Sequence, residues 1–426
     1  MRTRIDGVTL FTGEQWFEDG SLHIDGPVVT YAGPRQSAPP FQAERRIDGA
    51  NRIAMPGLTN AHTHLAMTLL RGVGSDMRLQ DWLEKAIFPA EERLTADIVR
   101  VGTELGMLEQ LRFGVTAFAD QYFFMDAVAQ AVDRGGMRAL LTRGIVGDGS
   151  DASRLNENVA LFHTYHGAAE GRIRVGLGTH GEYTNSEASL RQQIETARKL
   201  GAHIHIHIAE TRTELEGCKA RHGGRTPVRY LYDLGLLDGP VLAAHCVWVE
   251  PEDIAILAAR DVSVAHNPLS NLKLASGVMP LVPMLKAGVH VALGTDGTAS
   301  NNTLNLWEEV RLAAILHKGV SGDPTVVSPA QVLRMATVNG AQAMGFPNVG
   351  LLKPGWRADV VLLDAEQPHM VPCADPEAGL VYASQGSDVC MTMVDGRVLY
   401  WAGEYLTLDY ERILAEARVA ARVLAG

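Results

Sequence analysis

Between residues 58 and 296 the chain carries a series of short apolar, β-branched runs that end in histidine or an acid. They are PGLTNAHTH, with His62 and His64; HIHIHIAE, with His207 and Glu210; VLAAHC, with His245; and HVALGTD, with Asp296. A β/α barrel gathers its strand ends in one ring and builds its site there, so residues far apart in sequence meet. His62 and His64 stand two positions apart and on an extended strand point the same way. Three imidazoles and a carboxylate around one divalent ion leave a coordination position for water, the arrangement of a catalytic rather than a structural centre. The pattern predicts a hydrolytic metal site.

The rest of the central region supports the same architecture. Helical periodicity in TADIVRVGTELGMLEQLRF, EASLRQQIETARKLG, EDIAILAARD and PMLKAGV alternates with strand-like VTAFAD, MRALLTRGIV, IRVGLGTH and VSVAHN. Strands alternating with helices indicate parallel construction. The fold class expected is α/β, a (β/α)8 TIM-like barrel over residues 56–349. The two ends, 1–55 and 350–426, instead show short strands punctuated by Gly, Pro and Asp, as in GVTLFTG, RADVVLLD and MVDGRVLY. Neither end makes a domain alone. Together they are expected to form one small composite β-sandwich, with a C-terminal helix and the barrel inserted between its halves.

Composition excludes several function classes. The net charge of −11, with no Lys/Arg block, argues against a nucleic-acid partner. No run approaches the ~20 apolar residues of a membrane span, and MRTRIDG does not lead into a signal peptide. Cys218, Cys246, Cys373 and Cys390 show no CxxC spacing and suggest a reducing, cytoplasmic setting. A small-molecule substrate is expected; homo-oligomerisation stays open.

Within the HIHIHIA run, His203, His205 and His207 share a strand face, and only His207, nearest the rim, is expected to reach the metal. Glu210, three residues on, stands beside the ion and is suited to move a proton between water and substrate. A buried Asp296 needs a cation or hydrogen-bond donors to stay ionised. His245 either binds the ion or hydrogen-bonds its water, and His266 in AHNP belongs to the surroundings. Zinc suits this donor set best, with iron or manganese close behind.

At this point PGLTNAHTHLAMTLLRG, HIHIAET, AAHC, AHNPLSNLKLASG and LGTDGTASNNTLNLWEE resemble the amidohydrolase superfamily, and most of all its deaminases of S-adenosylhomocysteine and 5′-methylthioadenosine. The resemblance implies that His62, His64, His207 and Asp296 hold the metal, that Glu210 is the proton shuttle, and that His245 hydrogen-bonds the water. It further implies that Glu91 in FPAEERL holds the ribose hydroxyls and His180 contacts the purine. By the same likeness Arg143 and Arg154 lie near the amino-acid end of the substrate, Ser300 lies near the ligand, and Trp82 lines the thioether pocket. Two-metal barrels of this kind use a lysine carbamate; VTAFADQYFF has no lysine, so one ion is expected. The segment THGEYT departs from the family's Pro-His-Ser-Pro-Tyr-Thr-like pattern, with Glu182 beside His180 as an acid suited to accept a base N–H or to alter the ring's orientation.

The reaction so implied converts the adenine 6-amino group to a 6-oxo group with release of ammonia. A triazine, guanine or cytosine hydrolase built on the same mononuclear site is the alternative, and Glu91, Arg143 and Arg154 weigh against it because a bare heterocycle needs no ribose or amino-acid clamp. A non-catalytic barrel is a third reading, disfavoured because the whole donor set is present.

Overall fold

The computed structural model describes residues 1–77 and 79–425. Five strands open the chain: β1 (Arg2–Phe11), β2 (Trp16–Asp25), β3 (Val28–Pro34), β4 (Arg45–Asp48) and β5 (Arg52–Pro56). Nine follow in the centre: β6 (Leu58–Thr63), β7 (Val115–Tyr122), β8 (Arg138–Ile145), β9 (Ile173–Val175), β10 (Leu177–Gly181), β11 (Ile204–Ile208), β12 (Val241–His245), β13 (Ser263–His266) and β14 (His290–Leu293). Four close it: β15 (Val360–Asp364), β16 (Val389–Val394), β17 (Arg397–Trp401) and β18 (Glu404–Tyr405).

The central strands pair in the order β14-β13-β12-β11-β10-β8-β7-β6, with the short β9 beside β8. Every pairing along this path is parallel. The run IRVGLGTH thus splits into two strands at Gly176. A Cβ there would lie 2.7 Å from the His203 carbonyl oxygen, so only glycine allows the close approach. Between β14 and β6 the barrel closes through irregular contacts. The Asp296 amide donates to the His62 carbonyl at 2.9 Å, and Asn60 exchanges bonds with the Thr295 amide (2.9 Å) and hydroxyl (2.8 Å).

Helices wrap the barrel, and their ends follow ordinary capping chemistry. Ala96–Arg112 begins where the Thr95 side chain accepts from the Ile98 amide, and Glu187–Leu200 runs from a Ser186 cap to Gly201 in the left-handed region. No helix among the described residues is long and apolar enough to cross a membrane.

The two chain ends share one nine-stranded sheet, ordered β18-β17-β16-β15-β5-β1-β2-β3 with β4 on β1. Strand alternation divides its faces. Val360 and Leu362 join Ile5, Leu10, Leu22 and Met391 in a core of the sheet's own, while Val361 and Leu363 face the large apolar cluster of the barrel. The sheet is bolted to the barrel floor by Arg138 on β8, 1% exposed, which pairs with Asp359 at 2.9 Å and Asp395 at 2.6 Å.

Candidate active site

At the C-terminal ends of the barrel strands, His62 Nε2 and His64 Nε2 lie 3.5 and 3.4 Å from Asp296 Oδ1. His207 Nε2 lies 3.3 Å from His64 Nε2. Candidate ligand atoms of His62, His64 and His207 fall within 4.8 Å of one another, as do those of His62, His245 and Asp296. The two-residue spacing of HxH does turn both rings to one side.

Each ring is fixed through its other nitrogen. His64 Nδ1–H donates to the Gln121 carbonyl (2.6 Å) and His207 Nδ1–H to the His180 carbonyl (2.7 Å). His62 Nδ1 meets His205 Nε2 at 2.9 Å, so His205 buttresses His62 from below. His62 Nε2 is then left buried with no hydrogen-bond partner among the described residues. An orphaned buried nitrogen is costly, and a cation is the partner that its neighbours fit. Burial lowers His62 to about 4 and holds His207 well below the ordinary imidazole value, so both rings are neutral at pH 7, as ligands must be. Burial alone would raise the Asp296 carboxyl; contact with His62 and the charges of the surrounding imidazoles instead hold it well below the usual carboxylate range. Its Oδ2 accepts from Ser270 (2.6 Å) and Ser300 (2.8 Å), and its Oδ1 from the Gly297 amide (2.7 Å). This neutral imidazole and anionic carboxylate set fits a divalent ion.

The strand ends are strained where they meet the site. Ala209, His245 and Asp296 have φ of 50°, 73° and 63°, a region costing non-glycine residues about 1 kcal/mol each. Local bonds hold them there: Glu214 accepts from the Ala209 and Glu210 amides at 2.7 and 2.8 Å, and Cys246 N–H donates to the Ile208 carbonyl at 2.9 Å. Gly294 in LGTDG is required by packing, since a Cβ would lie 2.8 Å from the His62 amide nitrogen.

Beside the donors, Glu210 accepts from the Ser276 hydroxyl at 3.0 Å and stands 4.0 Å from His245 Nε2. His245 Nδ1–H donates to Asn271 Oδ1 at 2.8 Å, which turns Nε2 toward the cavity. Burial would lower His245, but the charges of Glu210 and Asp296 outweigh it and raise its pKa.

Above this floor lies a cavity of about 540 Å³. It is lined by His64, His207, Glu210, His245, Asp296 and Ser300, together with Glu91, His180, Arg154 and Trp82. Burial pushes Glu91 up to about 7 despite the neighbouring Tyr122 hydroxyl and His64. The ring of His180 is held through Nδ1 by the Thr184 hydroxyl at 3.0 Å. Trp82 is anchored by its indole N–H on the Val73 carbonyl at 3.1 Å. Arg154 makes no ion pair among the described residues. Sequence reasoning missed the apolar wall of Met67, Leu79, Leu83, Ile87 and Phe88 with Tyr122 and Phe123. The run from Leu79 to Glu91 follows a turn-rich stretch and includes a π-helical turn, Leu83–Ile87, whose spacing no ordinary helical period announces.

Two expected contacts are not made. Arg143 does not line the cavity: its Nε pairs with Glu157 at 2.7 Å, its Nη1 donates to the Gly144 carbonyl at 2.6 Å, and it stacks behind Phe123 at 4.9 Å. Glu182 pairs with Arg221 (2.7 Å) and His222 (2.8 Å) and does not line the cavity, so no base acceptor is placed there. A buried carboxylate takes the nearest cations, and helix Arg212–Arg221 supplies them. His266, for its part, meets His317 at 3.1 Å outside the cavity wall.

A parallel barrel with an imidazole and carboxylate cluster at its C-terminal strand ends is the frame of metal-dependent hydrolases. Residues 53–399 match the amidohydrolase family, and the chain belongs to it. It is 50% identical over 400 residues to a 5-methylthioadenosine/S-adenosylhomocysteine deaminase of Moorella thermoacetica, covering 93% of each chain. It is 45% identical to a 5′-deoxyadenosine deaminase of Methanosarcina acetivorans, covering 96% of this chain and 94% of the other. Its fold superposes on the crystal structure of an adenosine deaminase from Xanthomonas campestris with bound zinc, at TM-score 0.95 and 32% identity, over 99% of this chain and 98% of that one.

Proposed function

We propose that the protein is a hydrolytic deaminase of adenine nucleosides carrying an apolar or thioether 5′ substituent, such as 5′-methylthioadenosine, S-adenosylhomocysteine and 5′-deoxyadenosine. The observation that carries this reading is the mixed lining of one cavity. Metal-type donors and Glu210 share the cavity with the Glu91 carboxyl, His180, Arg154 and an apolar wall. The deaminase relatives agree with it.

His62, His64, His207 and Asp296 are the residues that would hold the ion, and zinc is the proposed ion because imidazole and carboxylate suit it and the Xanthomonas protein binds it. A divalent ion held there acidifies water and supplies a nucleophile near neutral pH. Asp296 and His245 orient that water toward C6 of the adenine ring, each steadied by its own partner, Ser270 or Asn271. Glu210 takes a proton from the water as the oxygen adds to C6, and delivers it to ring N1. It then takes the remaining hydroxyl proton from the oxygen now on C6 and passes it to the 6-amino group as the C6–N bond breaks, leaving the 6-oxo purine and ammonia. His180 contacts the purine and Glu91 accepts the ribose hydroxyls. The apolar wall covers the 5′ substituent and excludes water, and Arg154 meets a carboxylate where the substituent carries one.

The test is ammonia release by zinc-loaded protein over adenosine, 5′-deoxyadenosine, 5′-methylthioadenosine, S-adenosylhomocysteine, adenine, guanine, cytosine and melamine. The 5′-substituted nucleosides should turn over best. A free base or triazine as the best substrate would replace this reading.

A further inference from the structure

Outside the catalytic floor, one further group of three metal-type donors converges among the described residues: Glu182, Cys218 and His222, with candidate ligand atoms within 4.8 Å of one another. They come from separate stretches of chain. Glu182 follows β10 in the turn Glu182–Thr184, Cys218 sits in the helix Arg212–Arg221, and His222 caps that helix. Cys218 and His222 are four residues apart, so both lie on the helical face that Glu182 meets. Glu182 is 3% exposed and Cys218 fully buried, whereas His222 reaches the surface and stacks on Tyr230 at 3.6 Å.

What now neutralises Glu182 is Arg221, at 2.7 Å, with His222 Nε2 at 2.8 Å. A carboxylate so buried requires a cation. Arg221 is an exchangeable one, because its side chain is 47% exposed and can swing into solvent while staying hydrated. We propose that Glu182, Cys218 and His222 form a second, thiophilic divalent metal site for which Arg221 is the resident competitor. A thiolate, an imidazole and a carboxylate give a neutral complex with a divalent ion and leave a fourth position for water. Burial and the Glu182 charge keep the Cys218 thiol protonated without metal, so binding releases that proton to solvent. No redox step is involved. Glu214, close by, is committed to the Ala209 and Glu210 amides and is not needed as a ligand.

The site sits behind the cavity rather than in it. Tyr183, the next residue, lines the cavity, and Thr184 holds His180. The proposal is independent of which nucleoside is deaminated.

The test uses enzyme holding a single equivalent of zinc per chain, bound at the catalytic donors, titrated with cobalt(II) and followed by the near-ultraviolet thiolate-to-cobalt charge-transfer band. The wild type should develop that band and saturate it at one equivalent per chain. Cys218→Ser should abolish it and His222→Ala should weaken binding. Arg221→Gln, which removes the competitor, should reach saturation at lower cobalt. A wild type without the band overturns the site, as does a band that survives Cys218→Ser and so belongs to another cysteine. Weaker cobalt binding by Arg221→Gln would show that the arginine belongs to an ion-pair network with no place for a metal, even if Cys218→Ser proves unstable.

Discussion

His62 and Asp296 meet twice across the seam that closes the barrel: the Asp296 amide donates to the His62 carbonyl at 2.9 Å, and His62 Nε2 faces Asp296 Oδ1 at 3.5 Å. One contact belongs to the fold and the other to the site. Two strand ends from opposite limits of the barrel are thereby fixed against each other, and a side chain with a left-handed backbone is aimed at the cavity.

Removing the Asp296 charge separates these roles. Asp296→Asn keeps the amide bond of the seam but takes the anion from the donor set. Metal content after dialysis, measured by elemental analysis, should fall, with affinity reduced by more than about 100-fold. Ser270→Ala, which removes only a donor to Oδ2, should cost roughly tenfold. Equal metal retention in wild type and Asp296→Asn would show that the carboxylate is not a ligand.

Glu210 offers the cleaner test of proton movement, because it touches the Ser276 hydroxyl and stands off the imidazoles. Glu210→Gln should retain metal and lose about 10²- to 10⁴-fold in kcat, the range for a general acid–base group. Ser276→Ala should lower kcat roughly tenfold with KM little changed, since a hydrogen bond to a charged group contributes on the order of 1.5–3 kcal/mol. A Glu210→Gln enzyme turning over at wild-type rate would remove the shuttle.

Much of this arrangement is legible in the sequence because periodicity and placement carry it. HxH on a strand specifies two rings on one side, and runs ending in AAHC or LGTD mark strand ends, where β12 finishes at His245 and β14 stops three residues before Asp296. The helix in TADIVRVGTELGMLEQLRF carries its Thr95 cap, and EASLRQQIETARKLG is preceded by Ser186 and ends on Gly201. What escapes is the direction of long side chains. Arg143 lies on a strand beside the cavity, yet Glu157 from the following helix captures it; Glu182 is drawn to Arg221, 39 residues away. Pairings of this kind depend on which charges tertiary packing brings near. The supports of the site, Asn271, Ser276 and Glu214, are ordinary polar residues whose role exists only once their loops are folded together.

The different positions of the two arginines have a kinetic consequence. Arg154 lines the cavity without an ion pair among the described residues, whereas Arg143 is held by Glu157 outside it. Arg154→Ala should therefore lower kcat/KM for S-adenosylhomocysteine, which carries a carboxylate, by roughly 10- to 100-fold. For 5′-methylthioadenosine, which carries none, the change should stay within about threefold. Arg143→Ala should leave the ratio of the two substrates near its wild-type value. If Arg143→Ala shifts that ratio as much as Arg154→Ala, the guanidinium must leave Glu157 when substrate binds.

Glu309 links the site to stability through pH. Its carboxylate accepts from the Leu269 amide at 3.1 Å and the Asn301 side chain at 2.6 Å, joining the segment that carries Ser270 to the loop that carries Asp296. Burial outweighs those two bonds and pushes it up to about 8 from an ordinary 4.5. Between these values the folded chain holds a proton that the unfolded chain has released. Stability from this group is therefore fully present below about 4.5 and is lost as pH rises through about 8. Glu309→Gln cannot ionise and removes that slope. Urea unfolding at pH 6 and pH 9 should show the wild type losing stability relative to Glu309→Gln, by an amount on the order of a few kcal/mol. Parallel losses in both proteins would mean that Glu309 is already ionised at pH 6, and that its two donors, rather than burial, set its charge.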